Sequence, residues 1–318
     1  MWDIAAIGEP IIDFEQINST GQLEFRANAG GGSLNVLAAA TAQGSRTTML
    51  GCVGNDMFGS YLLSFMRERG IDASGITRCR EKNTGIGFVS LGNAGEREFV
   101  FYRDLASPVA YYSTEDTSIL QNIKILHYTS VSLAGKPGRV STREAVDAAA
   151  ALQVPLSFDV NYRPAMWEGE QPAKEVISQE IRRASIIKMD DKEAVFITGE
   201  TDVERAAQAV FSMGPRLVCI TLGRNGSYYA YPGGGGHCAT IAVQAVDTTG
   251  CGDAFVGVLL HELLKGRPRL DFDGLHDGQM RHMIQRANIA GALCSLKKGA
   301  AACMPSAQEI ERAIADMA

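Results

Sequence analysis

A mostly parallel β-sheet covered by helices on both faces, with a small second β-sheet beside it, is the fold class the sequence predicts. Three observations carry that reading. From about residue 120 onward, short apolar runs alternate with helical patterns, the mark of successive strand–helix units joined by right-handed crossovers. Two glycine-bearing helix starts, Gly30-Gly31-Gly32 early and Gly250-Cys251-Gly252 late, frame those units. Two hairpin-like pairs, residues 11–27 and 84–103, stand outside the alternation and suit a separate small sheet.

Taken in order, WDIAAI (2–7) is a first strand that ends in Gly8-Glu9-Pro10. IIDFEQI and QLEFRA follow as a hairpin around Asn18–Gly21. Within it Asp13 is an acid in an apolar run. It reads either as an edge-strand charge that discourages aggregation or as a carboxylate accepting hydrogen bonds from a polyol. Ala29–Asn35 leads into VLAAATAQG, a helix capped by Ser33 and closed by Gly44. Three successive glycines cost backbone entropy unless something packs closely on them, and Asn35 can aim its amide at the same object. RTTMLGCVG is a strand and DMFGSYLLSFMRERG an amphipathic helix. TGIGFVSL and REFVFYR form a hairpin through GNAGE, with Arg103 at its end as a guanidinium suited to sugar or phosphate.

The alternating part runs KILHYTSV, a helix over 139–152, VPLSFDVNY, a helix over 173–183, ASIIKM, DKEAVFITG and a helix over 202–213. RLVCITLG and a hairpin through SYYAYPGGGGHCATIAV come next, with Gly233–Gly236 as an exposed turn. The last helices cover Ala254–Lys265, 277–297 and 306–317. Ligands of such sheets bind at the carboxyl ends of strands. That places Asp159–Arg163, Thr221–Gly223 and Asp247–Asp253 on one rim. Asp247-Thr248-Thr249-Gly250-Cys251-Gly252-Asp253 delivers a small-residue turn to the start of a buried helix, a site for an anion. Asp253 is wrong for a plain phosphate cradle and right for a base that takes a proton from an attacking hydroxyl. An ordinary helix cap is the competing reading.

Composition narrows the classes. The chain has 318 residues, 46% of them hydrophobic, enough for one large α/β domain or two ordinary ones. A net charge of −6 without a basic run excludes a nucleic-acid partner. No apolar run reaches the roughly 18 residues of a membrane span. MWDIAAIGEP reads as a strand rather than a signal peptide. Seven scattered cysteines without a CxxC pair read as buried thiols of a reducing compartment, and five histidines without HExxH spacing offer no zinc site. A soluble, cytoplasmic protein is expected. The glycine spacing fits neither the dinucleotide fingerprint nor a P-loop, which removes a dinucleotide-dependent oxidoreductase.

GGGSLNVLAAATAQG and DTTGCGDAFVGVLL together resemble the two signatures of the ribokinase-like (phosphofructokinase-B type) carbohydrate kinases. GEREFVFYR, SFDVNYRPAMW, VCITLG and the terminal KKGA are most similar to the fructokinase branch, and the resemblance covers essentially the whole chain. It implies a ribokinase-like three-layer α/β/α sandwich with a β-sheet lid. The core would take residues 1–10, 30–83 and 106–318, and the lid 11–29 and 84–105. By the same resemblance Asp253 is the catalytic base, and Gly250, Cys251 and Gly252 form the anion hole. Asp13, Gly31, Gly32 and Asn35 bind sugar hydroxyls, and Arg103 and Arg163 lie near the substrate and the transferred phosphate. Thr221, Gly223 and Gly226 serve the nucleotide phosphates and ribose, and Asn288 the adenine. Asp190 and Glu193 organise Mg2+ through water, and Asp247 and Thr249 surround a monovalent cation, usually K+. Cys251 stands where alanine is commoner, and Asp190 replaces a neutral residue, with Lys192 near enough to offset its charge.

ATP and a small-molecule sugar are the partners implied, and family lids often pair across a dimer, so a homodimer through the lid is an expectation. Fructose, giving fructose 6-phosphate, is the first substrate expected, then 2-keto-3-deoxygluconate, then ribose or a nucleoside. A catalytically silent sugar- or protein-binding relative is the reading from a different class.

Overall fold

The computed structural model describes residues 1–18, 21–91, 97–102 and 117–317. In chain order its strands are β1 (Ile4–Ile7), β2 (Ile11–Gln16), β3 (Phe25–Gly30), β4 (Thr47–Gly54), β5 (Ile71–Asp72), β6 (Ile76–Cys79) and β7 (Ile86–Leu91). They continue with β8 (Arg97–Tyr102), β9 (Ile125–Thr129), β10 (Leu156–Asp159), β11 (Ile186–Asp190), β12 (Leu217–Thr221), β13 (Ser227–Tyr231) and β14 (Gly234–Cys238). The α-helices are α1 (Gly32–Ala42), α2 (Met57–Arg69), α3 (Lys136–Ala151), α4 (Glu170–Arg183), α5 (Asp191–Thr198), α6 (Val203–Phe211), α7 (Cys251–Leu264), α8 (Asp277–Cys294) and α9 (Ala307–Ala315).

β1 shows why the central strands are apolar throughout. Successive side chains leave opposite faces of a strand. Ile4 and Ala6 enter a core shared with α1, α2, α7, α8 and α9, whereas Ala5 and Ile7 enter a second core with α3, α4, α5 and α6. A sheet covered on both sides needs apolar residues at every position. Among the described residues the central sheet runs β14-β13-β12-β11-β10-β9-β1-β4-β5, with β6 on the distal part of β4. Pairing is parallel from β12 to β5 and antiparallel at β13 and β14. The three-layer α/β/α arrangement is thus present.

The second sheet is separate and runs β3-β2-β7-β8, with β2 parallel to β7 and the outer pairs antiparallel. Phe14 of β2 stacks on Phe88 at 5.2 Å and meets Phe58 of α2 edge-on at 5.7 Å. Asp13 and Glu15 take the other face, toward the central domain. β2 is an inner strand, so the edge-strand reading of Asp13 fails.

Three other expectations change. Ser33 does not cap α1: the helix starts after Gly31, at φ 107, and Ser33 Oγ donates to the Ile7 carbonyl at 3.0 Å, tying α1 to β1. α7 starts at Cys251 rather than Ala254, because Gly250 at φ 81 makes the left-handed turn that launches it. Gly234–Gly236 belong to β14, an exposed edge strand, so the turn shortens to Pro232-Gly233. The GNAGE turn at 92–96 lies outside the described residues. Among the described residues, no helix is long and apolar enough to cross a membrane.

Candidate active site

The carboxyl ends of β1, β10, β11 and β12, the starts of α1 and α7, and β2 enclose a cleft of about 790 Å³. Glu9, Asp13, Gly31, Gly32 and Asn35 line it from the early part of the chain, and Asp247, Thr249, Gly250, Gly252 and Asp253 from the late part. Two segments more than 200 residues apart meet where Asn35 Nδ2 donates to Asp253 Oδ2 at 2.8 Å. Each sits in the first turn of a buried helix. Gly32 marks the convergence, since a Cβ there would lie 2.9 Å from Asn161 Nδ2 and 3.8 Å from Asp253 Oδ1.

Burial pushes the Asp253 carboxyl up to about 6; Asp159 adds to the rise, and the Asn35 hydrogen bond, Lys188 and Arg163 oppose it. Asp13 is pushed up to about 7 by burial and by the charges of Asp253 and Glu9, against Arg163. Lys188, on β11, makes a buried ion pair with Asp159 at 3.1 and 3.3 Å. Burial works against its ammonium, but Asp159, Glu193, Asp253 and Asp190 hold it above the ordinary lysine value. A Cβ on Gly252 would meet Lys188 Nζ at 2.8 Å, so the glycine is what lets the ammonium reach the start of α7.

Asp190 and Glu193 form a reciprocal cap at the start of α5. Asp190 Oδ1 accepts from the Glu193 N–H at 2.7 Å, and Glu193 Oε2 accepts from the Asp190 N–H at 2.8 Å. Glu193 Oε1 also accepts from the Tyr162 N–H at 2.7 Å, and burial raises its pKa. Both residues line the cleft, but this backbone engagement suits them to ordering the water shell of Mg2+ better than to direct ligation. Among the described residues no cluster of three or more metal-ligating side chains occurs. Asp247 is buried and accepts from the Thr249 N–H at 2.6 Å, closing a tight loop on the cleft wall.

Thr221 and Arg163 also line the cleft. Gly223 and Gly226 lie just beyond it, in the turn between β12 and β13. Asn288 is not on the cleft wall; its amide donates to the Cys238 carbonyl at 2.9 Å, fixing α8 to the end of β14. The Cys251 N–H makes a long bond, 3.3 Å, to the Thr248 carbonyl. Arg103 lies outside the described residues. Glu9 and Lys188 line the cleft without a motif in the sequence that marks them, whereas Asn161 belongs to the rim segment Asp159–Arg163. Lys188 had one available signal, a lone lysine at the end of an otherwise apolar buried run.

The family model described as "pfkB family carbohydrate kinase" matches residues 1–307. A probable fructokinase-2 of Arabidopsis thaliana is 32% identical over 309 residues, covering 95% of this chain and 93% of the relative. Fructokinase of Xylella fastidiosa, solved with bound ATP, superposes with a TM-score of 0.88 at 27% identity, covering 99% of this chain and 98% of that one. A double mutant of Vibrio cholerae O395 fructokinase, in a fructose-, ADP- and potassium-bound form, gives 0.86 at 27% identity and 98% coverage of both chains.

Proposed function

Because the chain belongs to the pfkB family of carbohydrate kinases and is thereby a phosphotransferase acting on a sugar hydroxyl, we propose that it transfers the γ-phosphate of MgATP to fructose, giving fructose 6-phosphate. The observation that carries this is the Asp253 carboxylate, fixed by Asn35 in the first turn of α7 and set beside the Lys188–Asp159 pair. Asp253 takes the hydroxyl proton as the sugar oxygen attacks the γ-phosphorus, and the bond to the ADP oxygen breaks. With a pKa near 6, the carboxyl is mostly ionised at pH 7 yet a better base than an exposed aspartate. The N–H groups of Gly250, Gly252 and, once it leaves Thr248, Cys251 receive the developing charge, with Lys188 adding its ammonium. Phosphoryl transfer depends on such positioning and charge neutralisation more than on covalent catalysis.

Asp190 and Glu193 would hold hydrated Mg2+, which neutralises phosphate charge, and Asp247 and Thr249 would hold K+, which adds positive charge beside the anion hole. Gly31, Gly32, Asn35 and Asp13 hold the sugar; Thr221, Gly223 and Gly226 face the nucleotide phosphates and ribose, and Asn288 backs the adenine end. Residues 11–29 and 84–105 serve as a lid that excludes water. Phe25 and Val100 on that sheet, and Leu23 in the loop before β3, expose apolar surface and support a homodimer through it. A cytoplasmic location fits a substrate pair of sugar and ATP.

Among the described residues, which do not include Arg103, the sugar end carries Glu9 and Asp13 beside Asp253, against Arg163 and Lys188. That charge balance favours a neutral polyol over 2-keto-3-deoxygluconate, whose carboxylate would face the acids. Coupled ADP release across fructose, 2-keto-3-deoxygluconate, ribose and a nucleoside, with and without K+, tests the reading. Fructose should give the highest kcat/KM, and K+ should raise it. A higher kcat/KM for the keto acid reassigns the substrate, and a folded protein that phosphorylates none of them is a silent binder.

A further inference from the structure

Behind the anion hole three thiols crowd together. Cys294 ends α8, Cys303 ends the 3-10 turn Ala300–Cys303, and their sulfurs are 3.2 Å apart and buried. Cys251, whose thiol interacts electrostatically with Cys294, donates to the Asp247 carbonyl at 3.8 Å. The segment between Cys294 and Cys303 touches the proposed cation loop, the small sheet and the anion hole. The Ser295 carbonyl accepts from the N–H groups of Val246 and Asp247 at 2.8 and 3.0 Å, fixing the proposed cation loop. Lys298 pairs with Glu15 of β2 at 3.2 Å. Ala300 Cα lies 3.3 Å from where a Gly250 Cβ would stand, so the 3-10 turn backs the anion hole.

We propose that Cys294 and Cys303 are a redox-modification site, forming a reversible disulfide that staples residues 295–302 and lowers turnover. Little more than an ångström of travel brings the sulfurs to the bonding distance of about 2.05 Å. The oxidant is hydrogen peroxide. One thiol cleaves its O–O bond, becoming a sulfenic acid and releasing water; the second sulfur then displaces that hydroxyl, which leaves as water with the second thiol's proton. The thiols lose two electrons and two protons in all, and a dithiol reverses the step by thiol–disulfide exchange. Both S–H donors disappear. Cys294 gives up its contact to the Thr249 carbonyl at 3.8 Å, and Cys303 its contact to the Ala300 carbonyl at 2.9 Å. The cation loop and the turn behind Gly250 lose those ties together.

Peptide mapping of the whole chain after hydrogen peroxide treatment tests the bond without relying on kinase activity. Lys297 and Lys298 separate the two cysteines, so trypsin releases residues 287–297 and 299–312 as one species only if they are disulfide-linked. A linked species that dithiothreitol splits, retained in Cys251→Ala, is the expected result. Sugar-dependent ADP release should fall in step with the linked fraction and recover with dithiothreitol. Cys303→Ser, or Cys303→Ala if the serine variant does not fold, should show neither the link nor the fall. Alkylation of both Cys294 and Cys303 after peroxide has consumed other thiols overturns the proposal. So does a Cys251–Cys294 link, or a link that leaves turnover unchanged. A protein active on no sugar fails the kinase reading and leaves the mapping result to decide the disulfide.

Discussion

At the scale of single residues, Asp253 holds its proton more tightly in the fold than in the open chain, and that has a consequence for stability. Its carboxyl moves from 3.8 to about 6, and burial is the largest cause. Between those values the folded protein keeps a proton that the unfolded chain has released, so this contribution to stability falls as pH rises from about 4 to 6 and stays lost above. Asp253→Asn removes the buried charge. It should therefore lose about 10²–10⁴-fold in kcat while gaining stability on the order of 1–3 kcal/mol at pH 7. Thermal melts and steady-state kinetics on one preparation check both signs. Near-normal turnover removes Asp253 from the base role; a lost fold removes the charge argument. For the native chain, kcat/KM should climb with pH from about 6, where Asp253 ionises, through about 7, where Asp13 ionises, and level off above both. Asp253 was legible from the sequence because its motif is contiguous: two glycines and an acid at one helix start. Lys188 was not, because its meaning comes from Asp159 on the neighbouring strand and from the missing Cβ of Gly252. A lysine in ASIIKM shows neither. Asp13 was half-legible, since its acidity stood out while its strand's inner place did not.

At the scale of elements, strand–helix alternation needs no long-range information, and the central sheet follows from it. What the sequence hides is how closely the helices approach. α1 and α7 meet at Gly257, where a Cβ would lie 2.4 Å from the Val36 carbonyl oxygen and 2.5 Å from Ala39 Cβ. In sequence Gly257 is only a glycine inside an apolar helix, a mild propensity fault. In the fold it sets the distance between the helices that carry Asn35 and Asp253. Gly257→Val should thus destabilise by about 1–3 kcal/mol through overpacking and depress kcat by spreading the Asn35–Asp253 contact. Gly278 is the control: it lies in α8 with nothing within 4 Å of where a Cβ would stand, so Gly278→Ala should be neutral or stabilising by up to about 1 kcal/mol. Denaturant midpoints of the two variants make the comparison. Equal midpoints would mean that the helices separate without cost, and the argument for Gly257 would fail.

Across the whole molecule, the small sheet is held to the central domain on the side that carries the cleft. β2 leaves β1 through Gly8-Glu9-Pro10 and turns Asp13 into the cleft and Glu15 toward Lys298. The Glu15 carboxylate is largely buried and the Lys298 ammonium is half-exposed, so the pair is worth roughly 0.2–1 kcal/mol. That range corresponds to no more than about a fivefold change in an equilibrium. If the sheet acts as the proposed lid, Glu15→Gln biases it toward the open position by that amount. The KM for fructose should rise by up to about fivefold, with kcat nearly unchanged, because Glu15 touches none of the reacting atoms. Sugar-independent ATP hydrolysis should rise as water enters the cleft more often. A rise in both under steady-state assay supports a closing sheet. An unchanged KM with unchanged hydrolysis would show that the ion pair merely decorates a fixed sheet, and water exclusion would then have to come from the cleft walls alone.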